Sequence, residues 1–190
     1  MRLLILIIFL SQILIDNPLI AKTRKEDNFY PAIQDELIKK DLDELIKKAN
    51  EAEKSGLLKK SLVLNQEILT IEKNFYGEDH PEVATTLFNI GKLHFDLYEF
   101  KESRSFFLDA LEIYKLDEKN QYEGVIDSLN ELSKTHQIEG DFNTAISFKK
   151  KALDMAKRYY ESTDEYIGLF LNDLGLIYAE IGEYETAIEL

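Results

Sequence analysis

The side chains best suited to metal binding or proton transfer in this chain are its three histidines. His94 and His136 are 42 residues apart, and one further step of 42 leads to Tyr178. A zinc site needs three or four ligands close in space, whereas equivalent positions of stacked helical units are about 10 Å apart. A series that accepts both histidine and tyrosine is typical of a packed aromatic position. We therefore interpret His94 and His136 as packing residues and His80, which precedes Pro81, as a helix-capping residue.

No other arrangement of residues indicates catalysis. The sequence has no Ser–His–Asp order, no Gly-rich phosphate loop and no HExxH motif. It contains no cysteine, which excludes a thiolate metal site and a cysteine nucleophile. Adjacent acids such as Glu78 and Asp79 are typical of solvated faces and helix starts, and no spacing singles out a catalytic pair. We expect a protein that is not an enzyme and that needs neither a metal nor another cofactor.

The composition limits the classes of partner. The 190 residues carry 23 basic and 36 acidic side chains, which gives a formal net charge of −13. Such a chain lacks the basic stripe that neutralises phosphates, so we expect no nucleic-acid partner. Hydrophobic residues make up 45% of the chain, which is enough for a folded core.

The elements that position these residues recur along the chain. The segment that begins at Leu87 aligns with segments that begin at Leu129 and Leu171, each 42 residues further on. A constant period of this length indicates a repeat architecture, here with four units of which the last is short. Small residues recur at the same step in two series, Ala49, Gly91, Ser133 and Gly175 in one, and Ser61, Ser103, Ala145 and Ala187 in the other.

Each unit is predicted to contain two helices. Val83, Leu87 and Ile90 recur at intervals of three and four residues, which is the apolar stripe of a helix. A second stripe extends from Phe100 to Tyr114. The two series of small residues then have a physical reason, because a larger side chain where the paired helices cross would push them apart.

Glycine is predicted to form the turn within most of these pairs. It is the usual left-handed residue after a helix, and it stands at Gly56, Gly140 and Gly182, one in each of three units. Tyr98 occupies the equivalent position in the second unit. That turn must therefore form without glycine.

The segment from Gly77 to Tyr114, GEDHPEVATTLFNIGKLHFDLYEFKESRSFFLDALEIY, resembles a tetratricopeptide repeat of the 42-residue, kinesin-light-chain type. The resemblance implies an all-α fold, a right-handed superhelical solenoid of antiparallel helix pairs with about three and a half repeats. The solenoid is expected over residues 42–190, with units at about 42–74, 83–115, 125–158 and 167–190.

The sequence departs from the family pattern at a few packing positions. His94 and His136 stand where tyrosine is usual, Ser103 where alanine is usual, and Lys149 where an aromatic residue is usual. Each is a single substitution within a periodic pattern, so the expected fold is unchanged.

In the family, the first helix of each unit lines a concave surface, and the resemblance implies that this surface binds a peptide or protein segment. Asparagine is useful there because its amide both donates to and accepts from a peptide backbone. The resemblance implies that asparagines on this surface grip an extended peptide, although solvated polar residues would give the same pattern. Apolar side chains on a polar face are better indicators of contact. The predicted partner-binding residues are Phe88, Asn89, Lys92, Asn130, Lys134, Asn172 and Leu176.

Residues 1–21 have the order of a secretory signal peptide. A positive start precedes an apolar centre, residues 3–15, and a break at Pro18 precedes the small residue Ala21. The apolar centre is shorter than the roughly 20 residues of a comfortable membrane span. We therefore expect export to the periplasm or the extracellular space, with no membrane contact beyond this segment. The alternative is anchoring by an uncleaved N-terminal helix.

Residues 22–41 are predicted to be a charged linker or a short helix. Their pattern suggests a loop over residues 29–31 and a short helix over residues 32–40, with no functional site.

The other end of the sequence leaves several interpretations open. Leu190 stops about half-way through the second helix of the fourth unit, and no polar capping helix follows. We favour a fragment of a longer protein, and docking or self-association through an open apolar end is the alternative.

The main functional hypothesis is an exported scaffold for protein–protein interaction. The alternatives are the N-terminal interaction arm of a protein with a downstream catalytic domain, for example a caspase-like peptidase, and a purely structural role.

Overall fold

The computed structural model describes residues 29–161 and 164–190, with side chains from residue 34 onwards. These residues form eight helices and no strand. The predicted signal peptide lies outside the described residues. The helices are α1 (Phe29–Lys54), α2 (Leu58–Tyr76), α3 (Pro81–Asp96), α4 (Phe100–Leu116), α5 (Tyr122–Ile138), α6 (Phe142–Tyr159), α7 (Glu165–Glu180) and α8 (Tyr184–Glu189).

The beginning of the described chain differs from the sequence prediction. A loop over residues 29–31 and a separate short helix over 32–40 were wrong, because Phe29–Lys54 is one continuous helix. Pro31 is the third residue of this helix. The N–H groups of the first turn have no acceptor within the helix, so a proline there costs no hydrogen bond. No glycine or proline follows before Lys54, so nothing in the sequence ends the helix earlier.

Residues from Leu45 to Leu190 form one compact unit, and the fold described here is that of this unit. Consecutive helices from α2 to α8 pack against each other in chain order, and the first helices α3 and α5 of two successive pairs also contact. The core contains the stripes predicted from the sequence, with Val83, Ile90 and Phe107 almost fully buried. The fourth pair is short because α8 has six residues. The all-α architecture of about three and a half helix pairs is therefore confirmed.

The paired helices approach closely at the two series of small residues. A Cβ added to Gly91 would lie 2.7 Å from the ring of Phe107, so a larger residue at 91 would displace the second helix. Elsewhere the close approach allows a hydroxyl to reach a backbone carbonyl across the pair. Ser61 Oγ donates to the carbonyl of Ala49 over 3.0 Å, and Ser133 Oγ to that of Ala145 over 2.7 Å. The predicted reason for small residues is thus confirmed.

The turns within the pairs use one backbone conformation. Gly56, Gly140 and Gly182 have φ of 72°, 80° and 85°. Tyr98 takes the same left-handed conformation with φ of 63°, which makes it the one non-glycine residue with positive φ in the described chain. The turn without glycine therefore keeps the geometry of the others at the cost of backbone strain.

The start of α3 is capped as predicted. His80 Nδ1 accepts from the backbone N–H of Glu82 over 3.2 Å, and Pro81 occupies the first helical position. The His80 ring also stacks on Tyr76, with 4.4 Å between the ring centroids. Within the described residues, no helix is both long enough and apolar enough to span a bilayer.

Candidate functional site

The predicted partner-binding residues, termed the groove row below, lie on the first helices α3, α5 and α7. They are Phe88, Asn89, Lys92, Asn130, Lys134, Asn172 and Leu176. Phe88, Asn130 and Asn172 occupy one position of successive repeats, and Lys92, Lys134 and Leu176 occupy the position four residues later. Residues four apart lie on the same face of a helix. Apart from Asn89, the groove row therefore forms two parallel lines of side chains across three repeats.

All seven side chains retain contact with solvent. Lys92, Asn172 and Leu176 are exposed, and the other four residues of the groove row are half-buried. Leu176 is 55% exposed although it is apolar. This line of accessible polar and apolar side chains is suited to contact with another chain.

The line that begins at Phe88 changes chemistry from one repeat to the next. In the second repeat the ring of Phe88 packs on Phe107, with 5.3 Å between the centroids. One period later the same two positions hold Asn130 and Lys149. A purely apolar contact is thus replaced by a polar one at the equivalent place in the solenoid.

Lys149 is a buried cation directly beneath the groove row. The residue is 1% exposed, and its Nζ donates to Asn130 Oδ1 over 2.5 Å and to Asp173 Oδ2 over 2.8 Å. The Nζ also lies 5.6 Å from the centroid of the Phe170 ring. Burial lowers the pKa of Lys149, and Asp173 opposes that effect. Lys149 therefore joins α5, α6 and α7 through one ammonium group.

Asn89 belongs to a different line from the other two asparagines. Its equivalents in the next repeats are Glu131 and Asp173, which are committed to lysines. Glu131 Oε1 accepts from Lys134 Nζ over 2.7 Å, and Asp173 accepts from Lys149. The asparagine ladder implied by the family resemblance therefore extends along one line only from Asn130 to Asn172.

A cavity of about 440 Å³ lies next to this line, between α5 and the start of α7. It includes Asp127, which lies three residues before Asn130. Burial raises the pKa of Asp127, and the charges of Glu131 and Glu123 add to the effect. The acidic lining disfavours an anionic ligand at this end of the groove row. The lining consists of Glu123, Ile126, Asp127, Tyr160, Asp164, Glu165 and Tyr166.

The histidines considered first pack as aromatic rings. His94 stacks on Phe106 and His136 on Phe148, with centroid distances of 5.2 Å and 5.6 Å. Each Nδ1 also pairs with an acid at the start of the next helix, His94 with Glu99 at 2.6 Å and His136 with Asp141 at 3.2 Å.

Within residues 34–161 and 164–190, no group of three or more His, Cys, Asp or Glu side chains is placed to hold a metal ion. The stacking of His94 and His136 and their contacts with Glu99 and Asp141 give both histidines a role in packing and in the link between the helices of a pair.

Sequence reasoning missed the role of Lys149. The sequence showed that Lys149 departs from the aromatic residue usual at its position, but it did not show which side chains face the ammonium group. The available signal was the joint presence of Lys149, Asn130 and Asp173, because the first two are polar residues at positions where the second repeat has Phe107 and Phe88.

Comparison with known proteins agrees with this fold. The family model of the tetratricopeptide repeat matches residues 48–115 and 124–190. The chain therefore belongs to the tetratricopeptide repeat family. The tetratricopeptide repeat fold supports a role as a scaffold for protein–protein interaction. The kinesin-light-chain-like members of the family are generally not enzymes.

One curated relative and two solved structures are similar to this chain. Protein KINESIN LIGHT CHAIN-RELATED 1 of Arabidopsis thaliana is 27% identical over 123 residues, which are 64% of this chain and 20% of the relative. The chain thus spans about a fifth of that relative.

The crystal structure of BtubC (BKLC) from P. vanneervenii matches with a TM-score of 0.70 at 18% identity, over 90% of this chain and 73% of that one. A putative kinesin light chain from Podosopora anserina with nearly identical TPR-like repeats matches with a TM-score of 0.66 at 14% identity, over 78% and 70%. Both similarities support the solenoid fold.

Proposed function

We propose that this chain is an exported scaffold that binds an extended peptide or protein segment along the groove row. The observation that carries the proposal is the line Phe88, Asn130 and Asn172, at one position of three successive first helices. Adjacent positions of such a line are about 10 Å apart, and an extended chain advances about 3.3 Å per residue. A bound peptide would therefore meet one member of the line about every third residue.

The charges of the groove row favour a partner without a strong charge of either sign. Lys92 and Lys134 lie among Asp127, Glu131 and Asp173, and Lys134 is already paired with Glu131. Apolar Leu176 and Phe88 supply surface that gains free energy when a partner removes it from water. A neutral peptide with apolar side chains fits these features better than a polyanion or a polycation.

The proposal is tested with a peptide selected on the chain from a random display library. We expect Phe88→Ala, Asn172→Ala and Leu176→Ala each to weaken its binding, measured by isothermal titration calorimetry. Asn143→Ala and Leu108→Ala are matched controls, because both residues are exposed on second helices. Equal affinity for all five variants would refute the groove assignment.

Export is a separate part of the proposal and rests on residues 1–21. Expression with a C-terminal epitope, followed by cell fractionation and N-terminal sequencing, tests it. A mature protein that begins at Lys22 outside the cytoplasm supports export, whereas an intact Met1 in the membrane fraction supports the anchored alternative.

The alternative proposal is an interaction arm attached to a downstream catalytic domain. Its motivation is that the curated relative is much longer than the part this chain matches. Sequencing the coding region beyond Leu190 decides between the two, since an immediate stop codon removes the alternative.

A further inference from the structure

We propose that Lys149 is a positioning residue that makes Asn130 a hydrogen-bond donor toward a main-chain carbonyl of the bound peptide. The inference rests on the peptide-binding function proposed above. It identifies Asn130 as the donor in one hydrogen bond of the groove row and a neutral carbonyl oxygen as the acceptor.

The first step is the orientation of the Asn130 amide. An ammonium group has donors and no acceptor, so the atom of Asn130 that faces Lys149 must be the oxygen. The 2.5 Å distance from Lys149 Nζ to Asn130 Oδ1 agrees with this assignment. With the oxygen turned to the buried cation, the NH₂ group of Asn130 is the part left for other partners.

The second step concerns what the NH₂ group already binds. Its acceptor within the described chain is Glu131 Oε1 at 3.5 Å, which is the long limit of a hydrogen bond. That oxygen also accepts from Lys134 over 2.7 Å, a much better contact. Because Asn130 is half-buried and not closed off, at least one of its amide hydrogens remains available to a ligand.

The third step selects the ligand group. Lys134 and Lys149 balance the charges of Glu131 and Asp173 in the hydrogen-bonded network around Asn130, so the network has no net positive charge with which to bind a ligand carboxylate. A neutral carbonyl oxygen accepts from the amide without bringing an uncompensated charge to the site. In the neighbouring repeat the same position is Phe88, packed on Phe107, which offers an apolar surface. The ligand is therefore an extended peptide with an apolar side chain about three residues from the carbonyl that Asn130 binds.

The discriminating variant is Asn130→Asp, tested with the peptide selected on the wild-type chain. Aspartate has the shape of asparagine and still accepts from Lys149, but it has lost the donor. We expect the peptide to bind about tenfold more weakly or worse, which corresponds to one hydrogen bond. The thermal unfolding midpoint should show that the fold is retained.

Asn143→Asp is the control for the added charge, because Asn143 is exposed on the second helix α6 and lies outside the groove row. We expect a smaller loss of affinity for this variant. If Asn130→Asp binds like the wild type, or if both variants lose the same affinity, the assigned donor role is overturned.

A second measurement does not depend on the ligand. In Lys149→Met the Asn130 oxygen loses its donor, so the ¹³Cγ resonance of Asn130 should move upfield in the free protein. An unchanged resonance would overturn the link between the two residues even if no peptide were ever selected. Conversely, a peptide whose binding survives Phe88→Ala and Leu176→Ala would refute the proposed groove while the resonance test of Lys149 remains valid.

Discussion

The ring of Tyr114 occupies the space next to Gly124 at the junction between the second and third repeats. A Cβ added to Gly124 would lie 2.7 Å from three atoms of that ring. Tyr114 is 6% exposed and its hydroxyl donates to Thr85 Oγ1 over 3.1 Å, so the ring cannot move without losing this contact. One period later the equivalent residues are Ala156 and Tyr166, with the sizes reversed. Each of these two junctions thus combines one aromatic residue with one small residue.

We predict that Gly124→Ala lowers the free energy of unfolding by about 1–3 kcal/mol, because overpacking forces the Tyr114 ring to shift. This result would oppose helix propensity, which favours alanine over glycine by about 1 kcal/mol. Urea denaturation followed by circular dichroism measures the change. Gly168→Ala is the matched control, since residue 168 is helical and has no atom within 4 Å of an added Cβ. That variant should gain stability, and equal gains in both would contradict the steric argument.

The ion pair between Lys149 and Asp173 predicts that removing one member lowers the free energy of unfolding much more than removing the other. Asp173→Ala leaves a buried ammonium without its carboxylate and should cost about 2 kcal/mol of unfolding free energy, less than for a fully buried pair because the Asp173 side chain is 40% exposed. Lys149→Met should be close to neutral, since an apolar residue of similar length replaces the buried charge. Denaturant unfolding of both single variants and the double variant tests this. The double variant should be more stable than Asp173→Ala alone, and the opposite order would show that Lys149 does not need its carboxylate.

Much of the fold could be predicted because the same residue types recur every 42 residues at the positions that the helix pairs require. The turns at Gly56, Gly140 and Gly182 and the small residues that let Ser61 and Ser133 reach across a pair follow from local backbone conformation and from size. These requirements are the same in every repeat, so the sequence shows the turn residue and the small residues at several equivalent positions. The position of the groove row on the first helices could also be predicted from the family resemblance.

The features that the sequence did not reveal are those that differ between repeats. Glu72, Tyr114 and Ala156 occupy one buried position of three repeats, with side chains of quite different chemistry. Their partners lie on the next repeat, at a distance and an angle that periodicity does not specify. The same holds for Lys149, whose partners were visible in the structure alone. The start of α1 was missed for a local reason, because Pro31 was interpreted as a loop residue although it suits the first turn of a helix.

The left-handed Tyr98 predicts a stabilising substitution. We expect Tyr98→Gly to raise the free energy of unfolding by about 1 kcal/mol, because the left-handed conformation costs a residue with a Cβ roughly this amount and the Tyr98 side chain is 81% exposed. Gly140→Ala is the reciprocal control, since Gly140 has φ of 80° at the equivalent turn and should lose about as much. Thermal and urea unfolding measure both. The Tyr98 ring lies edge-on to Phe100 with 6.2 Å between the centroids. A loss of stability in Tyr98→Gly would mean that this contact outweighs the strain.

Glu72 predicts how stability depends on pH. The residue is 2% exposed and its Oε2 has no hydrogen-bond partner in the described chain. Burial raises the pKa of Glu72 from 4.5 to about 7, the Thr86 hydroxyl opposes the shift, and the charge of Glu82 adds to it. Between these two pKa values the folded state keeps a proton that the unfolded state releases, so stability falls as the pH rises through this window.

The slope of that loss should reach at most about 1.4 kcal/mol per pH unit between pH 4.5 and 7. Glu72→Gln cannot ionise and should remove this contribution, so it should match the wild type near pH 4.5 and exceed its stability by up to about 3 kcal/mol at pH 8. Urea unfolding of both proteins across this range tests the prediction. Other acids with a raised pKa, such as Asp109 and Asp127, titrate in both proteins, so the difference between the two curves isolates Glu72. Parallel curves would show that Glu72 has an ordinary pKa, because a carboxyl with the same pKa in both states contributes no pH dependence.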